Sequence, residues 1–131
     1  MARRIKAIQT YRPRIKMGRT VETDELAEYV ADHSGYSKGD IIHMLILFRN
    51  AVARFNRIGQ GVKLEGLGTY LPNIRLDGTF DVQHRLDWGL RRDLNSKDFR
   101  GTILNRRNIG KTPDELVALW NEEHPEDPVP D

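Results

Sequence analysis

The fold is decided by residues 37–70, which read SKGDIIHMLILFRNAVARFNRIGQGVKLEGLGTY. Ser37 and Asp40 form a Ser-x-x-Asp variant of the capping box, a signal for the beginning of a helix. Apolar residues then recur every three or four positions as far as Ile58, and Gly59 follows as a stop. The stretch therefore predicts a helix of about 21 residues, roughly 30 Å long.

The second half of this stretch changes from a helical period to a period of two. Val62 and Leu64 alternate with polar residues, and Gly66-Leu67-Gly68 follows directly before Thr69-Tyr70. Two glycines one residue apart permit a close backbone approach or a sharp bend between strands. We therefore expect strands to begin immediately after the long helix.

The residues up to Leu86 predict a β-hairpin with a turn near Asp77-Gly78. A two-residue turn would mix polar and apolar side chains on both faces of the hairpin. A three-residue loop, Leu76-Asp77-Gly78, instead pairs Ile74 with Phe80 and keeps one face apolar. We prefer this loop, with Gly78 left-handed. The opposite, polar face then holds Asn73, Arg75, Asp81, Gln83 and Arg85.

A shorter helix precedes the long one, and the two form a helical hairpin. Thr23 is its predicted N-cap, because Asp24 and Glu25 follow and suit the positive end of the helix dipole. The long helix carries more apolar surface than the short one can cover. Either other elements of the same chain or a second chain must bury this surface, and the sequence leaves both alternatives open.

The pattern weakens beyond Leu86 and returns near the end of the chain. Residues 87–108 fit a loop, a short strand around Thr102-Ile103-Leu104, or a mobile basic arm. Thr112-Pro113-Asp114-Glu115 is a capping box with proline at the first helical position, which predicts a final helix to about Glu123.

Three segments are expected from these boundaries. Residues 1–19 form a basic strand or arm that ends near Gly18, and residues 20–124 form the main domain. Residues 125–131 are acidic and rich in proline, which predicts an extended tail.

Charge is distributed in blocks, although the formal net charge is only +2. Seven basic residues and no acidic residue precede Glu22, and the span from Arg85 to Lys111 has eight basic residues against three acidic ones. The chain from Thr112 onward has seven acidic residues and no basic one. Two basic segments around a near-neutral core are typical of a polyanion binder. Solvated surface charge is the alternative explanation.

Three local motifs carry a resemblance to a known family. Thr23-Asp24-Glu25-Leu26, together with Ser34-Gly35-Tyr36-Ser37, resembles the first helix and turn of the HU / integration-host-factor family of bacterial histone-like proteins. The stretch from Gly61 to Tyr70 is similar to the first strand of that family. Asn108-Ile109-Gly110-Lys111 resembles the Gly-Lys step before its C-terminal helix. The flanking N- and C-terminal segments suggest a divergent branch.

The resemblance implies an α+β fold, in which a helical hairpin is followed by an antiparallel β-sheet with an arm or loop and a C-terminal helix. It also implies an intertwined homodimer that binds duplex DNA through the backbone and minor groove. The Arg-Asn-Pro arm tip of the family is absent, so we expect salt-sensitive backbone contacts with little sequence specificity. The predicted DNA-binding residues are Arg75, Arg85, Arg91, Arg92, Lys97, Arg100, Arg106, Arg107 and Lys111.

Other functions find little support in the sequence. The chain has no cysteine, and its four histidines lack metal-ligand spacing, so we expect no metal, no cofactor and no catalysis. No apolar run is long enough for a membrane span, and a cytoplasmic, nucleoid location without a small-molecule substrate is expected. The alternatives are a dimeric HU-fold scaffold that has lost DNA binding and engages a protein partner, or an RNA-associated factor.

Overall fold

The computed structural model describes residues 1–96 and 98–131. The helices are α1 (Arg4–Tyr11), α2 (Thr23–Asp32), α3 (Lys38–Arg57), α4 (Trp88–Ser96) and α5 (Pro113–Glu123). The strands are β1 (Arg14–Lys16), β2 (Val62–Leu64), β3 (Gly68–Ile74), β4 (Phe80–Leu86) and β5 (Thr102–Leu104), and a short 3-10 helix covers Arg106–Asn108. The α+β class is confirmed.

The chain divides into two units. Residues 20–99 form the central unit, and residues 1–19 together with 100–131 form the terminal unit. This division differs from the expected boundaries of 1–19, 20–124 and 125–131. Which residues make up the functional DNA-binding domain stays a prediction.

The helical hairpin of the central unit follows its sequence signals, except at its first residue. The Ser37 hydroxyl accepts a hydrogen bond from the Asp40 backbone N–H at 3.1 Å, and the Asp40 carboxylate accepts one from the Ser37 N–H at 3.3 Å. The predicted capping box is therefore confirmed. The prediction of Thr23 as an N-cap was wrong, because α2 begins at that residue and Glu22 stands at the cap without a side-chain hydrogen bond.

The sheet of the central unit has the order β2-β3-β4 and is antiparallel throughout. Ile74 lies opposite Phe80, as the three-residue loop predicts. The Arg75 N–H donates to the Thr79 carbonyl at 2.8 Å to close this loop, and Gly78 has a φ of +90°. The loop is confirmed. The division of the faces is less complete than expected, because Leu71 lies opposite Gln83 and so shares the polar face.

A helix follows the sheet directly, where the sequence suggested a loop or a mobile arm. The Asp87 carboxylate accepts a hydrogen bond from the Gly89 N–H at 2.9 Å and so caps the start of α4. Residues 87–108 do not form a single arm, because α4, β5 and the 3-10 helix occupy most of the described part of this span. The proposed strand at Thr102–Leu104 is present as β5.

The terminal unit joins the two ends of the chain around a core of its own. Helix α1 packs against α5, and β1 pairs with β5 in an antiparallel ribbon. Its buried apolar side chains are Ala2, Ala7, Tyr11, Leu116, Trp120 and Val129. The expectation of a strand or arm for the first segment was therefore wrong for Arg4–Tyr11, where alanine and tyrosine pack a helix against α5.

The last residues fold back instead of forming an extended tail. The Trp120 indole N–H donates to the Asp127 carbonyl at 2.7 Å. The Asn121 side chain accepts from the Val129 N–H at 2.7 Å, which places the Val129 side chain in the core. Side chains of α5 thus form hydrogen bonds with the backbone of the tail. The composition of residues 125–131 alone does not reveal these bonds, so the prediction of an extended tail was wrong.

Candidate nucleic-acid interface

The polar face of the central sheet carries two cationic side chains, Lys63 and Arg85, and the Lys63 ammonium lies 3.6 Å from the Glu65 carboxylate. Lys63 lies opposite Thr69 on β3, and Thr69 lies opposite Arg85 on β4. All three residues therefore share the face that is opposite the apolar one, because side chains alternate along a strand. Lys63 was not among the DNA-binding residues predicted from the sequence. Its position between Val62 and Leu64 in a strand of period two was the available signal.

Arg75 lies at the turn end of the same hairpin and is already paired. Its guanidinium is 2.8 Å from the Asp81 carboxylate, and both side chains are exposed. The hydrogen bond from Arg75 holds the pKa of Asp81 below its usual value. Because an exposed ion pair contributes little to stability, a nucleic-acid phosphate can compete for this arginine.

Helix α4 carries Arg91 and Arg92, and both side chains are exposed. The Arg91 guanidinium lies 5.4 Å from the centroid of the Trp88 ring, within the range of a cation–π contact. Trp88 is 66% exposed and belongs to the first turn of this helix, not to a loop. Trp88 and Arg91 together offer an aromatic surface and a charge. Lys97 lies outside the described residues.

The remaining predicted residues lie in the terminal unit. Arg100 precedes β5, Arg106 and Arg107 lie in the 3-10 helix, and Lys111 immediately precedes Thr112, the N-cap of α5. Arg75, Arg85, Arg91 and Arg92 belong to the central unit. The structure therefore divides the described site residues between two units, whereas we expected those from Arg91 to Arg107 to lie together on one arm or loop.

The electrostatics of the terminal unit include one strongly shifted group. Burial and a hydrogen bond from the Tyr11 hydroxyl to the Glu123 carboxylate raise the pKa of Tyr11 to about 12. The positive charge of Arg107 acts in the opposite direction. Tyr11 is therefore neutral and serves as a hydrogen-bond donor in the core.

The apolar face of the central unit is open to solvent. A cleft of about 410 Å³ lies between α3 and the sheet, lined chiefly by Leu45, Phe48, Val52, Leu64, Leu67, Tyr70 and Val82. Ile46 and Leu47 are each 53% exposed and Phe48 is 49% exposed. Ala27 is the one buried apolar side chain in the described part of this unit. Apolar exposure on this scale marks an interaction surface.

No metal or membrane element stands out in the part of the chain that the structure describes. Within residues 1–96 and 98–131, no group of three or more histidine, aspartate or glutamate side chains is placed to hold a metal ion. None of the helices in those residues combines the length and apolarity needed to cross a membrane.

A comparison with protein families identifies the class of the chain. A family described as "HU domain fused to wHTH, Ig, or Glycine-rich motif" matches residues 3–88. The chain belongs to this HU family, and at the level of the family it is a DNA-binding architectural protein whose domain type is non-catalytic. No curated protein matches the chain.

The family match changes one detail of the sequence analysis. It ends at residue 88, so the resemblance seen at Gly110-Lys111 lies outside it. The helix that this motif begins, α5, belongs to the terminal unit. The helix that directly follows the HU sheet is α4.

Proposed function

We propose that this protein is a nucleoid-type architectural protein that binds duplex DNA through its phosphate backbone and minor groove, with little sequence specificity. The observation that carries the proposal is the pair of cationic side chains on the polar face of the central sheet, where Lys63 and Arg85 flank Thr69. Lysine and arginine side chains that neutralise phosphates supply affinity without reading bases. The function needs no cofactor and no small-molecule substrate, and it places the protein at the nucleoid in the cytoplasm.

We infer that the DNA-binding form is a homodimer. The central unit buries almost no apolar side chain within one chain, whereas even a 60-residue domain normally buries about 60% of its surface on folding. Two copies of α3 and the apolar sheet face would cover one another and build the missing core. This explanation also accounts for a long helix that is apolar on several sides.

The proposed DNA-binding residues fall into two groups. Arg75, Arg85, Arg91 and Arg92 act from the central unit, and Lys63 joins them. Arg100, Arg106, Arg107 and Lys111 act from the terminal unit. Lys97 is retained from the sequence alone.

Replacing Arg91 and Arg92 together by alanine tests the contribution of α4. We expect weaker binding to all duplex sequences alike, by roughly ten- to a hundredfold at moderate salt. The slope of log K against log salt is negative, and its magnitude should decrease by about 0.9 for each phosphate that the variant no longer neutralises. The measurement is a fluorescence-anisotropy titration of labelled duplexes of different sequence at several salt concentrations.

A double variant with Arg3→Ala and Lys38→Ala serves as the matched control, because it removes the same formal charge elsewhere. Arg3 lies exposed before α1, and Lys38 pairs with Asp24 at 2.9 Å. The control should bind as the wild type does. If the Arg91 and Arg92 variant also keeps the wild-type affinity and slope, these residues do not contact DNA.

The second candidate function is a dimeric HU-fold scaffold that engages a protein partner. It is favoured by the charge of the central unit, which has ten basic and twelve acidic residues by sequence, and by the pairing of Arg75 with Asp81. A dimer that shifts no DNA at low salt would select it. Competition between duplex DNA and structured RNA distinguishes the third possibility, an RNA-associated factor.

A further inference from the structure

The excess positive charge of this protein lies in the terminal unit, not in the central unit. By sequence, residues 1–19 and 100–131 hold eleven basic and seven acidic residues, whereas residues 20–99 have a net charge of −2. All seven acidic residues of the terminal unit follow Thr112, in α5 and the tail. Its basic residues all precede that helix, so the two signs belong to different elements.

Some cations of the terminal unit have partners on α5. Arg4 makes an ion pair with Asp114 at 2.6 Å, and the Lys6 ammonium lies 5.4 Å from the centroid of the Trp120 ring. These contacts join α1 to α5, so Arg4 and Lys6 have a structural role in the terminal unit.

A second set of cations has no such partner. Arg12, Arg14, Lys16, Arg106 and Arg107 are all exposed, and none makes an ion pair with a carboxylate within the described residues. We call these five residues the ribbon surface. The Arg14 guanidinium makes one long hydrogen bond, to the Gln9 carbonyl at 3.5 Å. Charges that are not paired with a carboxylate remain available to an external anion.

The β-ribbon fixes the position of the first members of the ribbon surface. Arg14 lies opposite Leu104 and Lys16 lies opposite Thr102 in the antiparallel pair of β1 and β5. Arg14 and Lys16 therefore project from the same face of the ribbon, since alternate residues share a face. Arg106 follows β5 by two residues, at the Arg14 end of the ribbon.

Two asparagines fasten the arginine pair of the 3-10 helix to the chain before β1. The Asn105 side chain donates to the Thr10 carbonyl at 2.8 Å and to the Arg12 carbonyl at 3.1 Å. The buried Asn108 side chain donates to the Tyr11 carbonyl at 2.7 Å. Asn105 adopts a left-handed conformation with φ of 58°, which asparagine tolerates better than most residues. Arg106 and Arg107 lie between these two anchors.

We propose that the ribbon surface is a second DNA-binding site, which contacts phosphates independently of the HU-type sheet. Five cations, held by backbone pairing and asparagine anchors, meet a polyanion without the ordering cost that a flexible tail would incur. The proposal rests on the proposed function for the identity of the polyanion. It adds Arg12, Arg14 and Lys16 to the DNA-binding residues and gives the terminal unit its own role.

The test is the full-length chain with Arg14→Ala and Lys16→Ala, titrated with labelled duplex DNA across salt concentrations. We expect the magnitude of the slope of log K against log salt to decrease by about 0.9 for each phosphate left without its cation. The affinity should drop roughly ten- to a hundredfold at moderate salt. Arg14→Glu with Lys16→Glu should weaken binding further. The Arg3→Ala and Lys38→Ala variant again removes equal charge, and circular dichroism checks that each variant is folded.

The outcomes separate this proposal from the one on which it rests. If the wild type binds DNA and the Arg14 and Lys16 variants retain its affinity and slope, the ribbon surface is not a DNA site and the proposed function stands. If these variants lose no more affinity than the control, the effect is general charge and the proposal is overturned. If the wild type binds no DNA at low salt, the proposed function itself fails.

Discussion

Replacing Phe48 by aspartate is expected to dissociate the proposed homodimer and unfold the central unit. Phe48 lines the open cleft on α3 together with Leu45 and Val52. Phe48 is half-exposed in one chain and would be buried in the proposed dimer. Truncating a buried phenylalanine costs about 3–5 kcal/mol, and the proposed dimer contains two copies, so the loss is about 6–10 kcal/mol. A buried unpaired carboxylate adds to this cost. The total is comparable to the stability of a whole domain, which is about 5–15 kcal/mol.

Light scattering on the purified variant measures the mass, and circular dichroism measures the helical content and the thermal midpoint. Ile5→Asp is the control, because Ile5 is a large apolar residue that is 62% exposed on α1 of the terminal unit. The control should keep the mass of the wild type and a nearly unchanged melting temperature. A Phe48→Asp protein that stays dimeric and melts with the wild type would contradict the proposed interface.

Gly68→Ala is expected to disrupt the pairing of β3 with β4 at the end of the hairpin opposite its turn. Gly68 has a φ of +151°, and a Cβ at this position would lie 2.4 Å from both the Arg85 carbonyl and the His84 imidazole Nε2. Backbone strain and overpacking each cost about 1–3 kcal/mol, so we expect a loss of roughly 2–6 kcal/mol in the free energy of unfolding. Chemical denaturation of the full chain measures this difference.

Gly35→Ala is the matched control within the same unit. A Cβ added to Gly35 would have nothing within 4 Å, and the backbone of this residue is not left-handed. We expect a change of no more than about 1 kcal/mol, because only the entropy of the unfolded chain is affected. If Gly68→Ala is as stable as Gly35→Ala, the close approach at Gly68 does not constrain the sheet.

The central unit could be predicted from sequence because its signals are local. Ser37 and Asp40 are three residues apart, and the register of the hairpin follows from the alternation around a three-residue loop. Gly68 was expected to allow a close backbone approach, and the structure places His84 and Arg85 against it. The start of α4 was missed, although Asp87 is a good N-cap residue two positions before Gly89.

The helix α5 of the terminal unit was predicted from sequence, but the packing of this unit could not be, because its contacts join opposite ends of the chain. Tyr11 and Glu123 are 112 positions apart, and no local pattern connects them. The charge of the first segment suggested an arm and concealed the apolar positions of α1. Distant contacts also explain why the predicted DNA-binding residues are divided between two units. Arg106 and Arg107 looked like part of an arm or loop, but Asn105 and Asn108 anchor them to residues 10–12.

The measurement that tests the central claim most directly is the anisotropy titration of the wild-type protein with labelled duplex DNA across a series of salt concentrations. We predict binding at low salt that falls linearly in log K against log salt, with a slope of about −0.9 for each phosphate contacted. Duplexes of unrelated sequence should give nearly the same affinity. Absence of binding even at the lowest salt would contradict DNA binding as the function and point to a dimeric scaffold with a protein partner.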